Sequence, residues 1–242
     1  MNDVAVLMLD IDWAPDYVIE RIARMLIERR VKATWFVTHP AGALALLRRH
    51  ADLFELGIHP NLNPGSSQGA TMAEVVAHCL KIVPEAVSAR SHGLTQSDYL
   101  WRHYLEATPI RCECSTYLGD IPRAYLSRFH WKGRELARLP CVFQDNLEMC
   151  APESARDAAA MLARRAGVRS FSFHPLFIHM NSTRLDSGEA LKRAGRPFQE
   201  LTEEDIRPHI ESGQGAGALF AGVVAQLARQ GGGAWAREAA EL

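Results

Sequence analysis

Seven short runs of apolar, β-branched and aromatic residues recur along this chain. They fall at residues 4–10, 31–38, 53–59, 86–92, 110–117, 136–143 and 169–174. Between most of them lie stretches with helical spacing, at 17–30, 40–50, 71–82, 95–105 and 152–166, and the chain reads as helical from Leu201 onward. Gly231, Gly232 and Gly233 break that last segment before a short terminal helix. Thr71 and Glu74 have the spacing of a capping box at the start of their helix. Alternation of strand and helix predicts an α/β chain with a parallel sheet and helices outside it. Seven such units without a glycine-rich phosphate fingerprint favour a distorted (β/α) barrel of about seven parallel strands over an open dinucleotide fold. The expectation is one barrel domain over residues 1–242, with 200–242 a helical C-terminal extension.

Composition narrows the function classes. Lys plus Arg is 27 and Asp plus Glu is 28, a formal net charge of −1. That balance gives no electrostatic reason to expect nucleic acid or an anionic membrane as partner. The apolar runs are far shorter than the ~18 residues of a membrane span, so no transmembrane segment is expected. The first run has no basic stretch before it and ends in carboxylates, which reads as a strand and not as an export signal. Five cysteines without a regular framework read as reduced thiols. Together these point to the cytoplasm.

The polar residues that end the strands carry the functional reading. The first strand ends in Asp10-Ile11-Asp12, the third in His59, the fourth in Arg90-Ser91-His92 and the last in His174, while Asp145 follows the sixth. Parallel strands would bring all of these to one mouth. Charged groups gathered in a partly dry cleft are costly unless they satisfy one another or a cation. A strand end reaching solvent explains an isolated Asp-x-Asp equally well; two histidines at neighbouring strand ends tip the reading toward function. Asp10 and Asp12 share a strand face, so one carboxylate can bind a metal while the other accepts a proton. Asp12, His59 and His92 form the expected metal set. Its composition suits Zn²⁺ first, with Fe, Co, Ni or Mn as alternatives. His174 is either a packed histidine held by Pro175 or a general acid. Arg90 and Asp145 are orienting candidates or a plain ion pair.

These motifs, LDIDWAPD, TWFVTH, ELGIHPN, RSHGL and SFHP in that order, resemble the polysaccharide deacetylase (NodB-homology) superfamily. They are most similar to the WbmS-like proteins found with bacterial surface-polysaccharide loci, and the resemblance runs from about residue 4 to residue 181. It implies a distorted β/α barrel, a divalent metal, and hydrolysis of an N-acyl group (acetyl or formyl) on an amino sugar. By position, Asp10 matches the family's base and Asp12 its metal-binding aspartate. His59 matches the first metal histidine and His174 the late general acid. Arg90 resembles the arginine that orients the base, and Asp145 the acidic residue near it. The catalytic set expected is therefore Asp10, His174, Arg90 and Asp145. The family commonly places a second metal histidine four residues after the first. Here that position is Asn63, and His92 is the expected replacement. The usual Asp-Asp-Gly is Asp-Ile-Asp.

Trp13 is placed to stack on a sugar, and Asn61 and Asn63 to hydrogen-bond one. The expected substrate is an amino sugar carried as a sugar nucleotide, a lipid-linked sugar or an oligosaccharide. The Ala/Gly-rich C-terminal segment has the composition to pack on the barrel or on another subunit, so a homo-oligomer is allowed. Two rivals remain open at this point. One is a carbohydrate-binding barrel weakened in catalysis by Asn63. The other is a Mg²⁺-dependent Asp-x-Asp phosphatase, which would leave the strand-end histidines unexplained.

Overall fold

A computed structural model describes residues 3–119, 121–150, 157–164, 167–188, 191 and 195–242. The architecture is α/β. Nine strands form one curled sheet: β1 (Val4–Asp10), β2 (Ala33–Val37), β3 (Phe54–Ile58), β4 (Ser88–Ala89), β5 (Cys112–Glu113), β6 (Ser127–Trp131), β7 (Arg134–Arg138), β8 (Cys141–Gln144) and β9 (Val168–Phe173). Their order across the sheet is β6-β7-β5-β4-β3-β2-β1-β9-β8. Every pair is parallel except β6 with β7. Just past β5 the chain reaches the β8 edge: Cys141 N donates to Thr116 O and Leu118 N to Cys141 O, both at 2.8 Å. This contact curls the sheet into the expected distorted barrel.

Around it lie α1 (Asp16–Arg29), α2 (Leu44–Arg49), α3 (Met72–Ile82), α4 (Asp98–Ala107), α5 (Asp145–Met149), α6 (Ala158–Ala163), α7 (Pro175–Met180), α8 (Glu203–Ile206), α9 (Ala216–Arg229) and α10 (Ala236–Ala240). The capping box at Thr71 and Glu74 is present in full. Among the described residues no helix is long and apolar enough to cross a membrane.

Side-chain alternation sorts the strands into two faces. Leu7, Leu9, Trp35, Val37, Leu56, Phe171 and Phe173 point outward and pack with helix residues such as Ile22, Leu26, Val76 and Phe220. Val6, Met8, Phe36, Cys112, Cys141 and Val168 point inward. The amino end of the barrel is plugged by α10, whose Ala236 and Ala239 join the inner cluster. Ala236 N donates to Thr34 Oγ1 at 2.9 Å and Arg237 N to the buried Glu55 at 3.2 Å. With the floor closed, polar inward positions at the other end of β1, β3, β4 and β9 have one opening, the carboxyl mouth.

Three sequence expectations are corrected. The run at 136–143 is not one strand. It splits at Leu139-Pro140 into β7, which pairs with β5, and β8, which pairs with β9, because proline has no N–H to continue a ladder. Strand β6 was not expected. It is a largely exposed edge strand without an apolar run, joined to β7 through Lys132 (φ 47°) and Gly133 (φ 73°), a two-residue turn of the kind that suits hairpin twist. The segment from Leu201 is also not one helix, since α8 and α9 are separated by nine residues, 207–215. The expected helix at 152–166 is described over Ala158–Ala163; its residues 152–156, 165 and 166 lie outside the described residues.

Gly57 is required by the inner packing. A Cβ there would lie 2.7 Å from the Phe36 ring and 2.8 Å from Ser88 O. Gly57→Ala is expected to cost about 1–3 kcal/mol through overpacking, measured as a lower denaturation midpoint at constant m-value; an unchanged midpoint would contradict this interior.

Candidate metal centre and its flanking acid–base pairs

Asp10 is the last residue of β1 and faces inward, two positions after Met8. It is 2% exposed and Arg90 is fully buried. Arg90 Nε donates to Asp10 Oδ2 at 2.9 Å. The remaining guanidinium donors go to Gln144 Oε1 at 2.5 Å and to the carbonyl of Cys114. Ser172, two residues before His174 on the same face of β9, also donates to Asp10 Oδ2, at 3.1 Å. Asp10 Oδ1 is buried and has no hydrogen-bond partner. Burial alone would raise this carboxyl's pKa; Arg90, His59 and His174 outweigh it and hold the group below its ordinary value.

Asp12 lies just beyond the strand in a tight turn closed by Ala14 N donating to Ile11 O at 2.7 Å. Both central residues are left-handed, Asp12 at φ 34° and Trp13 at φ 58°. For non-glycine residues such a turn costs roughly 1–2 kcal/mol per residue. Trp13 N donating to Thr38 Oγ1 at 3.2 Å helps to fix it. Strain at that level, held in place by the surrounding contacts, is typical of functional sites. The turn aims the Asp12 carboxylate back over the mouth.

His59 ends β3 and His92 follows β4. Asp12 Oδ1 lies 3.1 Å from His59 Nε2 and 3.1 Å from His92 Nδ1. One ligand atom from each of the three residues falls within 4.8 Å of the other two. Donors about 2.0–2.2 Å from a tetrahedral cation stand ~3.3 Å apart, so the set fits a divalent metal with little movement. Burial would raise the Asp12 pKa, but hydrogen bonds with His59 and His92 hold it well below the usual carboxylate range. His92 is shifted the other way: burial would lower its pKa, and Asp12 raises it.

His174 follows β9 and completes the mouth. Its Nδ1 is 2.6 Å from Asp145 Oδ1, and its backbone N donates to Asp145 Oδ2 at 2.8 Å. Nε2 points toward the carboxylates, 3.5 Å from Asp12 Oδ2 and 3.9 Å from Asp10 Oδ2. Burial opposes the charged ring, but Asp145 and the two nearer aspartates push its pKa up to about 9. Asp145, the first residue of α5, thus contacts His174, while Arg90 pairs with Asp10.

The remaining candidates lie on the rim. The Trp13 ring meets His92 edge-on at 5.4 Å. Asn61 Oδ1 accepts from Asn63 N at 3.2 Å, and Asn63 is exposed, away from the cluster. Sequence reasoning missed Gln68, which is buried and braces the loop: its Nε2 donates to Thr38 O at 2.8 Å, and its Oε1 accepts from Asn61 N at 2.6 Å. It also missed Ser172 and Gln144, although Ser172 shares its strand face with His174. His39, which ends β2, stays out of the cluster and contacts Thr38 Oγ1 at 2.9 Å.

The family model for WbmS-like polysaccharide deacetylases matches residues 7–192. A solved structure from Bordetella bronchiseptica, provisionally described as a polysaccharide deacetylase involved in O-antigen biosynthesis, has a TM-score of 0.78 and 26% identity, covering 92% of this chain and 90% of that one. Peptidoglycan deacetylase PdaC from Bacillus subtilis has a TM-score of 0.48 at 12% identity, covering 99% and 92%. A CE4 family pseudoenzyme from Bacillus anthracis has a TM-score of 0.43 at 13% identity, covering 79% and 59%. Comparison with curated protein sequences returned no match.

The Asp10–Arg90 pair makes a stability prediction. Arg90→Leu leaves a buried carboxylate without its cation and is expected to cost about 3–5 kcal/mol. Arg90→Leu combined with Asp10→Leu should recover much of that loss. Equal losses in the single and double variants, in a denaturant-melt cycle, would refute the coupling.

Proposed function

The chain belongs to the WbmS-like polysaccharide deacetylases, and from that premise we propose that it is a metal-dependent hydrolase that removes an N-acyl group from an amino sugar of a surface polysaccharide under assembly. One observation carries the reading. Ligand atoms of Asp12, His59 and His92 converge within 4.8 Å, flanked by an Arg90-held carboxylate on one side and an Asp145-held imidazole on the other. The similarity to the Bordetella bronchiseptica protein supports O-antigen assembly as the setting. We take residues 1–242 as one domain, supported by the packing of α9 on α6 and α7 and of α10 on β1.

Asp12, His59 and His92 would hold the cation, Zn²⁺ by the chemistry of this donor set. A cation bound there supplies Lewis acidity, polarising the acyl carbonyl and lowering the pKa of water. The protein's own groups do the rest. Asp10 is kept ionised by Arg90, which with Ser172 engages Oδ2 and leaves Oδ1 open. That oxygen takes the proton as water adds to the carbonyl carbon. His174 Nδ1–H donates to Asp145, and the ring, its pKa pushed up to about 9, is the imidazolium, so Nε2 carries a transferable proton. As the C–N bond breaks, Nε2–H protonates the departing nitrogen, which is otherwise a poor leaving group. The products are a free amine and a carboxylic acid. Arg90 and Asp145 act through their partners and are positioning residues.

The rivals fit less well. A phosphatase reading leaves His59, His92 and His174, gathered around Asp12 at the mouth, without a role. The weakened-barrel reading rested on Asn63 costing the site a ligand; in our reading His92 supplies it from the neighbouring strand.

Three outcomes are expected. Purified wild-type protein should carry one divalent ion per chain by elemental analysis, and His59→Ala and His92→Ala should each bind it more weakly and retain less than one. Asp10→Asn should retain the ion and lose acyl release by about 10²–10⁴-fold. A metal-free wild type, or full turnover by Asp10→Asn, would refute the mechanism. Asp145→Asn should lower kcat at unchanged metal content; unaltered kcat would remove Asp145 from the proton path.

A further inference from the structure

His59 lacks the usual brace of a metal-binding histidine. Such rings ordinarily donate their second N–H to a carboxylate or carbonyl that fixes their orientation. His59 Nε2 faces Asp12 at 3.1 Å. Its Nδ1 is buried with no hydrogen-bond partner among the described residues, and Asp10 Oδ1 lies 3.9 Å away. Asp12 has a different difficulty. Its left-handed backbone, shared with Trp13, is a conformation that non-glycine residues leave when nothing holds them. Both ligands therefore depend on contacts made to the backbone.

Those contacts meet at the end of β2. Thr38 is buried, and its hydroxyl oxygen accepts from Trp13 N at 3.2 Å. The same hydroxyl lies 2.9 Å from His39 Nδ1. Burial lowers the pKa of the His39 ring, against a hydrogen bond with the backbone of Ala14. Ala14 N is committed to Ile11 O, so the Ala14 carbonyl takes the one N–H of the neutral ring. Nδ1 then accepts the Thr38 hydroxyl hydrogen, and the Thr38 lone pairs are left for Trp13 N–H. Thr38 and His39 thus grip the turn at Trp13 N and at Ala14 O.

Gln68 carries the grip across to β3. It is 5% exposed. Its Nε2 donates to Thr38 O at 2.8 Å and to His59 O at 3.4 Å, while Oε1 accepts from Asn61 N at 2.6 Å. His59 N donates in turn to Val37 O at 3.0 Å, so both backbone groups of this ligand are engaged. Gln68 is itself held in place, because Gly69 packs on the first turn of α3. A Cβ on Gly69 would lie 2.7 Å from Glu74 Cβ and 2.9 Å from Val75 N.

Resting on the metal-dependent reading of this site, we infer that Thr38, His39 and Gln68 are positioning residues that set the spacing of Asp12 and His59 in advance of the cation. None of the three is a ligand. They order the two donors before the ion arrives, so that binding does not have to order them. They act on metal affinity and take no part in proton transfer.

Competition for Zn²⁺ between the full chain and a fluorescent chelator tests this. Thr38→Val removes the hydroxyl at nearly constant volume and should weaken Zn²⁺ binding about 10–100-fold. Thr38→Ser restores the hydroxyl and should recover most of that loss, which a residue that only fills space would not show. Gln68→Glu keeps the acceptor for Asn61 N but loses the donors to Thr38 O and His59 O, and should weaken Zn²⁺ by a similar factor. It decides the matter should Thr38→Val fail to fold. The inference is overturned if folded Thr38→Val or Gln68→Glu binds Zn²⁺ as tightly as wild type, or if Thr38→Ser is no better than Thr38→Val. Acetate release from tetra-N-acetylchitotetraose and UDP-N-acetylglucosamine separates the two levels. Release by a wild type whose Zn²⁺ affinity ignores these substitutions sinks the clamp alone. Zn²⁺ affinity that follows them, without release from either probe, sinks the deacylase reading alone.

Discussion

Two carboxylates held in the barrel mouth determine what everything around them must supply. Asp10 is 2% exposed and Asp12 is partly covered. A buried negative charge is tolerated only with a partner of opposite sign and good hydrogen bonds. The molecule answers in two different ways. Asp10 is matched by a permanent internal cation, Arg90, whose guanidinium also donates to Gln144 and to the carbonyl of Cys114. Asp12 is matched by neutral-capable imidazoles, His59 and His92, which suit it to share an external cation. In the mechanism we propose, that division separates a proton acceptor from a metal ligand although only one residue lies between them.

The fold makes this division through strand parity. Inward positions run from apolar at the plugged end, Val6 and Met8, to Asp10 at the mouth, and from Ser170 through Ser172 to His174 on the neighbouring β9. Parallel pairing of β9, β1, β2, β3 and β4 brings the carboxyl ends to one side. The left-handed turn at Asp12 and Trp13 then bends the last carboxylate over the opening. Gln68 fastens the loop beyond β3 to the ends of β2 and β3.

The strands that bear chemistry were legible because they are buried on both faces and read as continuous apolar runs ending in Asp or His. Asp10, Asp12, His59, His92 and His174 could be aligned at one mouth on the single assumption of parallel pairing. Strand β6 was not legible, since an exposed edge strand has neither an apolar run nor a clear alternation. The break at Pro140 was hidden because apolar residues continue on both sides of it. Asp145 stood out as a strand-end acid, but only its contact with His174 shows which group it orients. Gln68 gave no signal, because a polar residue in a polar loop looks the same whether its amide is buried or solvated. Asn63 illustrates the opposite case: its identity marked a departure from the family pattern, and its exposed position on the loop after β3 gives that departure a physical setting.

X-ray absorption at the metal edge of the purified protein tests the central claim most directly, because it reads the coordination shell itself. The account predicts one divalent ion with two imidazole nitrogens and one carboxylate oxygen at about 2.0–2.2 Å, losing one nitrogen in His92→Ala. A shell with a single imidazole, or one unchanged by removing His92, would contradict it.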